Sequence, residues 1–209
     1  MSDLQLETPR LRLRLMQSSD LDDLLAIFGD PKVMASFGGG IFSRKQMEGW
    51  IQRNLEHQDL HGYGLFSVIL KSEGLLIGDC GLEHMDLDGD LATELGYDFR
   101  SDYWNQGFAT EAATAVRDYA FNSLQLPRLI SLIRVGNKAS RRVSEKIGMQ
   151  FVAEIDHNST RYWKYEIENR IKNRIELQNK DSGPEIDKSS ISSRGLVHSS
   201  KSWDPGNPP

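Results

Sequence analysis

Tyr103-Trp-Asn-Gln-Gly-Phe-Ala-Thr-Glu111 joins an extended segment to a helix, and the rest of the chain can be read outward from that junction. Downstream, Ala109, Ala112, Ala113, Val116, Tyr119 and Ala120 recur at helical spacing, and the pattern closes before Pro127. The turn holds Gly107 and exposes several backbone N–H groups that the helix itself cannot pair. With the positive end of the helix dipole behind them, these donors suit a pyrophosphate, and Gly107 and Ala109 leave room for it to approach. An ordinary strand-to-helix turn would look the same. Neither common nucleotide fingerprint is present: the second and third glycines of dinucleotide spacing are missing, and no Lys-Ser/Thr pair ends the loop.

Upstream, Arg10-Leu-Arg-Leu-Arg-Leu15 alternates with period two, which predicts a strand with three leucines on one face and three arginines on a wet face. Ser19-Asp20 precedes Leu21, Leu24, Leu25 and Phe28 at helical spacing, and Ser43 with Gln46 forms a capping box ahead of Met47, Trp50, Ile51 and Leu55. Two helices therefore follow the first strand. Gly64–Leu70, Leu75–Leu82 and Leu91–Phe99 are apolar runs split by turn-like Lys71–Gly74 and Met85–Asp90, and they read as an antiparallel meander. After the central helix come a strand at Leu129–Val135, a helix at Lys138–Ile147 closed by Gly148, and strands near Phe151 and Tyr162. Ile167, Ile171 and Ile175 recur every four residues and predict one more helix. This order favours an α+β domain with a mixed sheet over a doubly wound one.

The 209 residues carry 25 Lys and Arg against 30 Asp and Glu, a net charge of −5, so bulk electrostatics recruit neither nucleic acid nor an anionic membrane. The single cysteine, Cys80, closes no intrachain disulfide, and no run of 18 apolar residues or signal-peptide core occurs, so the protein is expected in the cytoplasm. From Asp181 to Pro209, Ser, Gly and Pro fill 15 of 29 positions, too few apolar groups remain to fold, and the segment reads as a solvated tail. Residues 1–180 are the expected folded domain.

Trp104-Asn-Gln-Gly-Phe-Ala109 resembles motif A of the GNAT superfamily of acyl-CoA N-acyltransferases, with Trp104 departing at its Gln/Arg position. Tyr103–Ala112 is more similar to the branch of ribosomal-protein N-terminal (alanine) acetyltransferases. Three further stretches resemble that branch: Glu7-Thr-Pro-Arg-Leu-Arg-Leu-Arg14, Ala92-Thr-Glu-Leu-Gly-Tyr97, and Asn137-Lys-Ala-Ser140 followed by Glu145–Met149. The resemblance implies a GNAT-like fold, a central mixed, mostly antiparallel sheet of six to seven strands flanked by helices. It also implies transfer of an acetyl group from acetyl-CoA to a primary amine, either a protein N-terminus or a small amine. The sheet would splay between the strands at Leu91–Phe99 and Leu129–Val135 to admit the pantetheine arm. Cofactor contacts are then expected from backbone groups at Tyr97, Asp98 and Phe99, from Asn105, Gln106, Gly107, Phe108, Ala109 and Thr110, and from Asn137.

An amine attacks a thioester only when neutral, so something must accept its proton, and the leaving thiolate gains from a hydrogen-bond donor. Glu94 is the candidate acceptor, because alternation sets Glu94, Gly96 and Asp98 on one face of their strand; a surface ion pair is the plain alternative. Asn137 is placed to cap the helix that follows it, and the resemblance adds a cofactor contact. Ser140, one turn on, is the second catalytic candidate, as a hydrogen-bond donor to the departing sulfur. Many superfamily members carry a Tyr further along this helix, where the aligned residue here is Ser144.

Other clusters read as structural. His57 and His61 could share a helix face, but Gln58 stands where a zinc protease needs Glu, so no metal is expected. Asp86–Asp90 imitates a calcium loop without its glycine or bidentate Glu and reads as a hairpin turn, and Cys80 reads as a core residue. Phe37, Phe42, Trp50, Tyr63 and Phe66 surround the early helices and the Gly38-Gly-Gly40 turn, where the family places its acceptor wall. A binding module that keeps an acyl-CoA pocket without turnover is the alternative to an enzyme; either is expected as a monomer or homodimer.

Overall fold

The computed structural model describes residues 4–35, 37, 40–87 and 89–169. In chain order these form β1 (Gln5–Glu7), β2 (Leu11–Leu15), α1 (Leu21–Phe28), α2 (Pro31–Met34), α3 (Arg44–His61), β3 (Leu65–Leu70), β4 (Leu75–Leu87), β5 (Asp90–Phe99), α4 (Phe108–Asn122), β6 (Arg128–Arg134), α5 (Lys138–Lys146), β7 (Gln150–His157) and β8 (Thr160–Glu168). The strands make one sheet in the order β1-β2-β3-β4-β5-β6-β8-β7. All neighbours run antiparallel except β5 and β6, which are parallel and joined through α4. The domain is thus α+β, and its sheet has eight strands where six to seven were expected. The extra strand is short β1, paired to β2 at the edge.

Apolar side chains cover both faces of the centre of the sheet. Leu11, Leu13, Phe66, Val68, Cys80 and Leu82 pack under α4 through Ala112, Ala113, Val116 and Ala120. Alternate positions, Leu65 and Leu76 among them, pack with Leu24, Phe28, Met47 and Trp50 of α1 and α3. With both faces covered, β3 is buried along its whole length.

The helix starts follow local chemistry. Ser43 and Gln46 make the reciprocal capping box of α3, and Asn137 accepts the Ser140 amide at the start of α5. The short α2 went unread although Asp30 caps it and Pro31 opens it, since four residues are too few to show a period.

Three expectations need correction. Met85–Asp90 is not all turn: β4 runs on to Leu87 and β5 begins at Asp90, because Met85 continues the alternation and packs with Ala92 and Ile130. Ile167 lies in β8 opposite Leu129, not in a helix; Ile171 and Ile175 lie outside the described residues, as do the expected boundary at residue 180 and the tail. The arginines are not simply a wet face, since Arg14 makes two hydrogen bonds to buried Asp20, which also accepts from Ser67.

Candidate active site

The site begins where the sheet parts. β5 and β6 share one registered pair, Glu94 with Ile130, and beyond it they diverge. The Leu132 amide, which has lost a β5 carbonyl there, donates instead to Glu94 Oε1 at 2.9 Å. Glu94 therefore stands at the fork.

One arm of the fork opens into a cleft of about 870 Å³, walled by Tyr97, Asp98 and Phe99 of β5 and by Gly136, Asn137 and Ser140 at the start of α5. Asn105, Gly107, Phe108, Ala109 and Thr110 complete its floor. Gly107 caps α4 with φ of 83°, and Asn105 also lies in the left-handed region with φ of 61°. No side chain caps this helix end. The first bond into α4 runs from the Glu111 amide to the Gly107 carbonyl, so the amides of Phe108, Ala109 and Thr110 precede the ladder and remain available. Gln106 does not join the lining; its side chain donates to the Asp102 carbonyl, and its own carbonyl accepts from Arg10 at 3.0 Å.

Ser140 and Asn137 line both this cleft and a second cavity, and the Tyr97 hydroxyl donates to the Ser140 carbonyl at 2.8 Å, tying β5 to α5. Burial pushes the Tyr97 phenol well above its ordinary value. Among the described residues, the cleft wall also carries Lys32, Arg134, Lys138, Arg142 and Lys146. A mobile-anion load of phosphates fits that wall and those free amides together.

Residues 10–150 match the acetyltransferase (GNAT) domain family. The chain belongs to the GNAT family. YkkB of Bacillus subtilis, an uncharacterized protein, is 37% identical over 148 residues, which is 70% of this chain and 86% of that one. The uncharacterized N-acetyltransferase p20 of Bacillus licheniformis is 32% identical over 146 residues, 69% of this chain and 82% of that one. Among solved structures, an acetyltransferase from Agrobacterium tumefaciens is similar with a TM-score of 0.69 at 28% identity, over 80% of this chain and 95% of that one. This GNAT protein is an acetyl-CoA-dependent N-acetyltransferase, and acetyl-CoA is its co-substrate.

The second cavity of this GNAT enzyme, about 120 Å³, is lined by Asp79, Glu83, Glu94 and Asp98, with Phe37 and Trp50 on the side of the early helices. Strand register builds it: Asp79 faces Asp98, Glu83 faces Glu94, and Gly81 faces Gly96 between them. Burial pushes the Glu94 carboxyl up to about 8, with Glu83 and Asp98 adding repulsion against the stabilising Leu132 amide. Burial likewise lifts Glu83 to about 7, opposed by Arg53, and Asp98 to about 7 beside Glu83. The Asp79 carboxyl is raised by its burial and by the same neighbours, and its Oδ2 has no hydrogen-bond partner among the described residues.

Asp79 and Glu83 escaped the sequence reading because single-strand alternation does not reveal what lies across a hairpin. Arg10 escaped it as well. Its guanidinium bonds the Gln106 carbonyl, pairs with Glu111 at 2.6 Å and lies 4.3 Å from the centre of the Phe108 ring, so it holds the turn from behind. The expected acceptor wall divides: Phe37 and Phe42 pack around Phe28 with Trp50, whereas Tyr63 and Phe66 belong to the core under α4. Residues 38 and 39 lie outside the described residues.

Away from both cavities, the structure brings His84 of β4 beside His57 and His61. The ring centres are 4.4 Å apart for His57 and His61 and 4.1 Å for His61 and His84. Burial lowers all three imidazoles, His57 to about 4 with repulsion from His61 next in size.

Proposed function

We propose that this enzyme moves the acetyl group directly from acetyl-CoA to a cationic primary amine, with Glu94 taking the proton the amine must lose. The observation that carries the reading is the position of Glu94 at the strand fork, on the wall of the acid-lined cavity, whose lining shares Tyr97, Asp98, Asn137 and Ser140 with the phosphate-suited cleft. The free amides of Phe108, Ala109 and Thr110 hold the diphosphate, and the backbone of Tyr97, Asp98 and Phe99 with Asn137 orients the thioester. Asn105 and Gly107 shape the turn, and Gln106 supports it through Arg10.

Acetyl-CoA supplies a carbonyl already activated as a thioester, so the transfer calls on neither a metal nor a covalent enzyme intermediate. Glu94 accepts one proton from the ammonium, the freed nitrogen forms the new C–N bond, and as the C–S bond breaks the second nitrogen proton passes to the departing sulfur, which leaves as the coenzyme A thiol. Ser140 hydrogen-bonds that sulfur. The acceptor enters from the side of α1 to α3, past Phe37 and Trp50. The cavity acids, as they ionise, favour an ammonium, and the small cavity admits the end of a chain, either a protein N-terminus or a small amine. The site works within residues 1–180 in the cytoplasm, and removal of residues 181–209 should leave thermal stability and acetyl-CoA binding intact.

The test is thiol release from acetyl-CoA with a panel of peptides differing in their first residue and a panel of small amines. At least one acceptor should turn over. Glu94→Gln should slow transfer to it by roughly 10²- to 10⁴-fold, the usual range for a positioned acid or base, while the thermal shift given by acetyl-CoA is kept. Unchanged turnover in Glu94→Gln would remove Glu94 from the reaction.

A further inference from the structure

We propose that His57, His61 and His84 form a binding site for one divalent transition metal of the Zn²⁺ class, separate from the acetyl-transfer site. Each offers one ring nitrogen, and the three nitrogens lie within 4.8 Å of one another. Nitrogens bound to one tetrahedral Zn²⁺ at about 2.0–2.1 Å stand roughly 3.3 Å apart, so only a modest closure of the three rings is needed.

The His57 tautomer suits a metal. His57 Nδ1 lies 3.0 Å from the Tyr63 carbonyl, which only accepts, so the neutral ring carries its proton there and Nε2 keeps its lone pair. A ring N–H held by a backbone carbonyl is the arrangement that orients metal-bound imidazoles. Tyr63 touches a second ring as well, its hydroxyl 2.8 Å from His84 Nε2. One residue thereby steers two of the three rings from outside the trio. The His57 lone pair now accepts the His84 backbone N–H at 3.1 Å. His84 is exposed, so that amide would pass to water when a metal takes the lone pair.

The donor set chooses the class of ion. The charge repulsion felt by His57 comes from the other two imidazoles, and no carboxylate contributes to the trio. Neutral imidazoles suit Zn²⁺, Co²⁺, Ni²⁺ and Cu²⁺, whereas Mg²⁺ and Ca²⁺ require oxygen ligands. Three protein ligands leave a fourth position for water on the exposed side. A bound ion would cross-link the last turns of α3 to the middle of the sheet, since His57 and His61 end that helix and His84 lies in β4.

The experiment uses full-length, tag-free protein stripped with a chelator and then titrated with Zn²⁺ by calorimetry, metal content being counted after desalting. One Zn²⁺ per chain is expected, with a rise in melting temperature, and Co²⁺ should give the visible bands of tetrahedral coordination. His61→Ala and His84→Ala should each weaken binding at least tenfold, while His198→Ala does not and both variants keep the acetyl-CoA thermal shift. Substoichiometric binding by the wild-type chain, or full affinity in both variants, overturns the site. Neither result bears on acetyl transfer, which the thiol assay reads separately.

Discussion

Glu94 holds the Leu132 amide with one oxygen while burial and neighbouring acids keep its proton affinity high. A base works only when deprotonated, so with a carboxyl lifted to about 8 the rate with a given amine should rise through mildly alkaline pH. The limb belongs to Glu94 together with Glu83 and Asp98, which titrate as a group. Glu94→Gln should lose that limb and keep only the dependence due to the amine's own protonation. A pH profile of kcat/KM identical in wild type and variant would contradict the assignment. Gly107 supports the cleft through its backbone: a Cβ there would meet Arg10 Nη2 at an ordinary 3.5 Å, so space is not limiting, but φ of 83° is. A β-branched residue pays about 1–2 kcal/mol or more in that region, whereas Asn tolerates it. Gly107→Val should therefore abolish the acetyl-CoA thermal shift, and Gly107→Asn should retain much of it. Equal loss in both would mean that bulk, not backbone, decides.

At the scale of elements, what is written locally was legible and what depends on pairing was not. The caps at Ser43 and Asn137 and the turn at Gly107 use neighbours three or four residues away, so their residues announce them. Alternation within one strand singled out Glu94 as a candidate, but its neighbouring acids Asp79 and Glu83 needed the β4–β5 register, and His84 needed the docking of α3 against β4. Ile167 misled because a spacing of four fits a helix and, being even, also keeps one face of a strand. Asn137 caps α5, and one substitution can separate that cap from the cofactor contact proposed for it. Its Oδ1 accepts the Ser140 amide at 3.1 Å, and Asp caps as well as Asn. Asn137→Ala should cost about 1 kcal/mol of stability, read from denaturant unfolding, whereas Asn137→Asp should not. If the residue also faces the cofactor arm, Asn137→Asp should still weaken acetyl-CoA binding by placing an anion beside it. An unchanged KM in that stable variant would leave only the cap.

Over the whole molecule, two sets of carboxyls pull stability in opposite directions with pH. Asp20 and Glu111 are held below their ordinary values despite burial, Asp20 by Arg14 and Ser67 and Glu111 by Thr8 and Arg10, so they stabilise the fold above the carboxylate range and lose that contribution in acid. Glu83, Glu94 and Asp98 are raised to about 7 or 8, and Asp79 is raised with them. Between their unfolded values near 4 and these folded ones, the native state binds more protons than the unfolded chain, so stability falls as pH rises through that window. The two trends place the maximum in mildly acidic solution, about pH 5–6, rather than at neutrality. Asp79→Asn tests the second trend without touching Glu94. It removes one buried carboxyl whose Oδ2 has no partner and sets an amide donor opposite Asp98 in the register. The melting temperature of the wild-type protein should drop from about pH 6 to about pH 8.5, and in Asp79→Asn the drop should shrink, leaving the variant the more stable at the alkaline end. A wild-type melting temperature that holds level or climbs across that interval would mean that the four acids are solvated enough to ionise in the ordinary carboxylate range, and the alkaline limb expected of the rate profile would then have no carboxyl behind it.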